Sequence, residues 1–263
     1  MDYYSFLTYT IAVSLILLLI TYKYAFDKFG NTHCNNFVSN VYLYLALSIC
    51  IAGLFIHLYN HLLNDDDQVD KLLELPVALK QTFPWIIGAV IMSFVGIFGM
   101  AFQGVFSKNG TIRNHIFWLI FLASISAVLY PTFKAREYAD ILQQVTLTVI
   151  AIFVGMSGIV YGFPQFFENT YSKVTIGLFI ALLLVIITEL VLTLTGSYDS
   201  NSRRYISYFV ITLFSVYISY DTSRILQLAR VCINSPNYPM ISNTLFMDII
   251  NIFTRLLSVS SNE

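Results

Sequence analysis

The feature that most constrains this chain is a succession of apolar runs, each near the length needed to cross a lipid bilayer. A spanning helix needs about 20 mostly apolar residues, because it rises about 1.5 Å per residue through a hydrocarbon core about 30 Å thick. Seven runs fit, at residues 6–25, 38–60, 85–106, 115–133, 140–162, 174–195 and 205–227. An eighth, 241–258, is about 18 residues long and near the lower limit for spanning. Within lipid every backbone N–H and C=O must find its partner inside the segment, so runs of this length read as helices. Hydrophobic residues are 57% of the chain and charged ones only 11%, against about 25% charged in soluble domains. The expected fold is therefore an all-α integral membrane bundle.

The connections are short, so sequential helices should be antiparallel neighbours. The exception is 61–84, where Asp65, Asp66, Asp67, Asp70 and Glu74 stand with Lys71 and Lys80, a pattern expected of a solvated loop or surface helix. Gly96 with Gly99, and Gly158 with Gly162, are candidates for close helix packing. The first run has no basic segment before it and is long for a signal sequence, so it is expected to be retained. Basic residues divide almost evenly between the two sides, but Lys23 and Lys28 follow the first helix and none precedes it. That local asymmetry favours an N-terminus facing away from the cytoplasm. A net charge of −1 with no Lys/Arg cluster excludes nucleic acid as a partner. Cys34, Cys50 and Cys232 are odd in number and Cys50 lies in an apolar run, so no disulfide framework is expected.

Three acids fall at membrane depth. In the last run Thr244, Asp248, Asn251 and Arg255 recur at helical spacing and form one polar stripe on an apolar rod. A charge at the centre of a spanning helix costs roughly 2.5–3.5 kcal/mol on insertion scales, so Asp248 needs a partner, a proton or water. In the seventh run Tyr217, Asp221 and Arg224 share a face, and a local Asp221–Arg224 ion pair is the simplest account of them. With Asp248 on the next helix, a second account opens. Two carboxylates that meet in a dry site share a proton, and on losing it they form an oxygen-rich anionic site suited to a hard cation such as Ca2+. Glu189, in the middle of the sixth run, is either packed and protonated or part of a pathway.

Other motifs have plainer readings. His57 and His61 have zinc-compatible spacing but lack the glutamate of a zinc-protease helix, and are expected to cap a helix end. Gly155-Met156-Ser157-Gly158 matches the serine motif of intramembrane proteases, yet every histidine precedes Ser157. No base follows to activate it, and a packing role is expected. The sequon Asn109-Gly110-Thr111 lies close to two membrane segments and is expected to be unmodified.

The strings FVSNVYLYLAL at 37–47, YDTSRI at 220–225 and LFMDIINIFTRLL at 245–257 resemble the BAX inhibitor-1 family, also called the transmembrane BAX inhibitor motif or Lifeguard family. The resemblance implies a seven-helix bundle over 37–263, preceded by one extra N-terminal transmembrane helix and loop at 1–36. It also implies a pH-sensitive calcium leak and inhibition of apoptosis, with the family's aspartate pair falling on Asp221 and Asp248 as gate and Ca2+ site. Arg224, Asn251, Arg255 and Glu189 are candidate supporting residues. No enzyme activity or cofactor is implied, Ca2+ being the permeant ion. The implied partners are the lipid bilayer, Ca2+, protons and other apoptosis-related membrane proteins, in the endoplasmic reticulum or another intracellular membrane. The alternative is a non-conducting scaffold that suppresses death by binding such proteins. The chain departs from the family pattern at Ser39 and Asn40, where members carry an Arg-Lys pair. It also has no arginine in 38–60 or 85–106 to act as the family's latch partner.

Overall fold

The computed structural model describes residues 3–27, 30–62, 75–102, 104–105, 111–134, 139–196, 199–232 and 235–260. Among them run eight helices: α1 (Tyr3–Ala25), α2 (Phe37–Leu62), α3 (Leu75–Phe102), α4 (Thr111–Lys134), α5 (Ala139–Gly162), α6 (Pro164–Leu194), α7 (Ser200–Arg230) and α8 (Tyr238–Ser260). The all-α membrane fold read from the sequence holds. Seven of the helices are long and apolar enough to cross a membrane, α7 being the exception.

Three boundaries differ from expectation. α3 begins at Leu75, so part of the stretch expected as a loop or surface helix extends a spanning helix. The acids Asp65 to Glu74 lie outside the described residues. α6 begins at Pro164, ten residues early, and only Phe163 separates it from α5. Proline has no N–H to continue the preceding ladder but has the right φ to start a helix. α8 has 23 residues, about 34 Å along its axis, and is long enough to span. The outer face of α6 presents Leu183, Leu184, Ile186, Ile187, Leu190 and Val191 at 42–60% exposure. An apolar surface so continuous suits lipid rather than water.

The chain divides into two compact units, Met1–Glu137 with Cys232–Asn243 and Tyr138–Val231 with Thr244–Glu263. In the first, α2 packs on α1 and α4, and α3 packs on α4. Gly96 and Gly99 permit the α3–α4 contact: a Cβ at Gly96 would stand 2.9 Å from Phe117 O, and one at Gly99 would overlap the Phe117 ring. Trp118 Nε1 donates to Ser48 Oγ at 3.0 Å and Ser126 Oγ to Ala52 O at 3.2 Å, tying α4 to α2. Tyr44 stacks on Tyr238 at 5.6 Å and is hydrogen-bonded to His115 Nε2 at 2.6 Å.

This unit also contains a correction. Cys34 and Cys232 form a disulfide, with Cα atoms 5.9 Å apart across a sequence separation of 198. Cys50 is the free thiol. The odd count concealed a pair brought together by the fold. Hydrogen bonds bring the same two connections together independently, Thr32 Oγ1 donating to Pro236 O at 2.8 Å and Tyr238 OH to His33 O at 2.6 Å.

In the second unit α7 packs against both α5 and α6. Val160, Phe167 and Tyr220 form its buried centre, flanked by Val174, Leu178, Val216 and Leu226. Gly158 and Gly162, expected at a close approach, have nothing within 4 Å of the point where a Cβ would stand. Small hydroxyl residues make the close contact instead: Ser157 Oγ meets Thr222 Oγ1 at 3.2 Å, and Ser219 Oγ donates to Met156 O at 3.2 Å.

Candidate functional site

The second unit brings Asp221 and Asp248 within Coulombic reach of one another. Asp221 is nine residues before the end of α7 at Arg230, and Asp248 ten residues after the start of α8 at Tyr238. At about 1.5 Å per residue both lie about 14–15 Å along their helices from the ends that face the α7–α8 connection.

The surroundings of the two carboxylates differ. Asp221 is half-buried and accepts a hydrogen bond from the Thr244 side chain, while Arg224, one turn on, acts on it as a nearby positive charge. Asp248 is 5% exposed. It lies within Coulombic reach of Asp221, and Tyr217 lies within reach of both. Its Oδ2 is buried and has no hydrogen-bond partner among the described residues. A buried carboxylate oxygen without a donor is costly when ionised. The geometry therefore supplies two acids, one satisfied and one not, close enough for the charge of one to oppose the charge of the other.

The supporting residues separate into two groups. Arg255 grips Glu189 of α6 with both guanidinium nitrogens: Nη1 reaches Oε1, and Nη2 donates to Oε2 at 2.8 Å. Their side chains are 24% and 22% exposed. Glu189 is five residues before Leu194 and Arg255 five before Ser260, so each stands the same distance from the end of its helix. Equal distance from the helix ends is the signal that could have paired them, but it is usable only once the boundaries are known. Asn251 donates its amide to Met247 O of its own helix at 2.8 Å and does not join the aspartates. Of the predicted stripe, then, Thr244 and Asp248 belong to the dyad, Arg255 to a separate ion pair, and Asn251 to its own backbone.

Ser157 is buried and shares its hydroxyl with Thr222, next in sequence to Asp221. Its neighbour is a packing partner of the kind expected, and Thr222 is a residue that sequence reading did not single out. Among the described residues no group of three or more His, Cys, Asp or Glu is placed to hold a metal. The His61 side chain lies outside the described set, as do Asn109 and Gly110 of the sequon.

Comparison with curated proteins gave no match. Over residues 34–262 the chain matches the family described as Inhibitor of apoptosis-promoting Bax1, a match that takes in every helix except α1. The chain therefore belongs to the Bax inhibitor-1 family and is a multi-pass membrane protein of a family associated with inhibition of apoptosis.

Proposed function

We propose that the protein is a slow, proton-gated calcium leak of an intracellular membrane such as the endoplasmic reticulum, and that it blunts apoptosis by lowering stored calcium. One observation carries this reading: Asp248 is 5% exposed with an unpartnered Oδ2 and lies within Coulombic reach of Asp221. A proton held between the two carboxylates removes the repulsion between them and lets the helices close. When the proton leaves, two negative charges in a dry site repel, and the pair gains stability by admitting water and a divalent cation. Asp221, Asp248 and the Thr244 hydroxyl offer too few oxygens for a resident Ca2+, which takes six to eight. A sparse donor set suits transient occupancy by an ion in passage, its remaining ligands being water.

Glu189 and Arg255 act separately in this scheme. Their ion pair holds α6 against α8 beyond the dyad, while Arg224 moderates the charge on Asp221.

The test is Ca2+ flux into liposomes containing the purified protein, followed from pH 5 to pH 8. Flux should rise with pH in the native protein, and Asp221→Asn and Asp248→Asn should each flatten that dependence. Flux that both substitutions leave unchanged would remove the gate assignment. No flux at any pH, with anti-death activity retained in cells, would favour the scaffold.

A further inference from the structure

Three connections that are remote in sequence meet in the first unit. The α1–α2 connection is joined to the α7–α8 connection by the Cys34–Cys232 disulfide and by the bond from Thr32 Oγ1 to Pro236 O at 2.8 Å. The α3–α4 connection joins them, since Asn237 N donates to Val105 O at 2.8 Å and Asn237 Nδ2 to Gly104 O at 3.1 Å. Segments that touch in this way lie on one side of a membrane.

Counting crossings turns that contact into a constraint. From Cys34 to Val105 the chain passes α2 and α3, both apolar enough to span, and two crossings return it to the starting side. From Val105 to Asn237 it passes α4, α5 and α6, which are apolar enough, and α7, which is not. Three crossings would leave Asn237 on the far side from Val105, whereas four bring it back. The disulfide imposes the same parity on its own, because Cys232 also follows α7.

This parity agrees with the seven-helix bundle expected from the sequence, in which α7 crosses despite its polarity, and we propose that Cys34 and Cys232 are oxidised on a face that lies in an oxidising compartment. α1 then starts, and α8 ends, on the reducing, cytosolic side. This reverses the orientation suggested by Lys23 and Lys28, a signal of two charges in a chain whose basic residues are otherwise evenly divided. Structural disulfides persist where the surroundings are oxidising and are rare in the cytosol. In forming the bond the two thiols give up two protons and two electrons to a disulfide-bearing oxidoreductase of that compartment, which leaves with its own disulfide reduced to two thiols.

The polarity of α7 is compatible with a crossing. Its 31 residues span about 46 Å, more than the hydrocarbon core. Thr212 Oγ1 donates to Tyr208 O at 3.0 Å and Ser215 Oγ to Ile211 O at 2.7 Å, so these hydroxyls satisfy themselves on the helix's own backbone. Ser219 and Thr222 bond to α5. Hydropathy counts each of these groups as exposed polar surface, although each is satisfied within protein. The orientation places the Glu189–Arg255 pair in the cytosolic half of the membrane.

The test uses the full chain carrying a different peptide tag at each end, expressed in a eukaryotic cell and recovered in sealed microsomes. Protease added outside should remove both tags. A mass-tagged maleimide applied to the denatured protein should label one cysteine before reduction, Cys50, and three after it. One tag protected and one cut would mean an odd number of crossings and overturn the assignment of α7. Both tags protected would overturn the orientation, and three cysteines labelled before reduction would overturn the disulfide.

Discussion

Replacing Arg255 by methionine is the most informative single perturbation of the second unit. It keeps the length and apolar body of the side chain but leaves the Glu189 carboxylate without the two donors it now has. Breaking a buried pair by removing one partner costs about 3–5 kcal/mol, because an uncompensated charge stays behind. The two side chains are 24% and 22% exposed, so some of that charge remains screened, and a cost of about 2–3 kcal/mol is expected for Arg255→Met and for Glu189→Leu. Removing both ends leaves no orphan. The double variant should return to within about 1 kcal/mol of the native protein, giving a coupling energy of about 3–6 kcal/mol. The assay is equilibrium unfolding in mixed micelles titrated with a denaturing detergent. Single variants that each cost under about 0.5 kcal/mol, with costs that add in the double, would refute the pairing and with it the clamp between α6 and α8.

Other perturbations probe the framework around the site. Gly96→Ala places a methyl 2.9 Å from Phe117 O and Phe121 Cα, and backbone cannot move aside as a side chain can. A loss of about 1–3 kcal/mol is expected, while Gly158→Ala, with nothing within 4 Å, should be neutral or stabilising by up to about 1 kcal/mol; both are read from unfolding midpoints. Asp199 caps α7, and its hydrogen bonds from Ser202, side chain and then backbone N–H, hold its carboxyl below the usual carboxylate range. A folded-state value below the unfolded one means that the contribution is present above the unfolded value and lost as pH falls through the folded one. Stability should therefore decline on acidification below the ordinary aspartate range, and Asp199→Asn, which keeps an acceptor without the charge, should remove that part of the pH profile.

The fold was largely legible in the sequence because one physical requirement, internal satisfaction of backbone polar groups in lipid, leaves a mark of about 20 apolar residues on seven of the eight described helices. The runs located all eight helices, and they misjudged ends where that mark fades. Leu75 to Pro84 is mixed in polarity yet continues α3, and the break before α6 depends on Pro164 rather than on hydropathy. The dyad was legible because Asp221 and Asp248 are anomalies in apolar surroundings. What they touch was not, since Thr244 meets Asp221 while Asn251, on the same stripe, turns to its own backbone. The Arg255–Glu189 pair and the Cys34–Cys232 bond join residues 66 and 198 positions apart. Such pairings are set by helix length and packing, and spacing along the chain carries no trace of them.

The most direct measurement of the gate follows the carboxyl proton itself. Infrared spectra of the purified protein in lipid, taken as pH is stepped while Ca2+ flux is recorded from the same vesicles, report the carbonyl stretch of a protonated acid. A proton shared by Asp221 and Asp248 gives a band that fades over the pH interval in which flux rises, and each of Asp221→Asn and Asp248→Asn shifts or abolishes it. A band that survives both substitutions, or flux that titrates without any change in the band, would contradict a gate built on this pair.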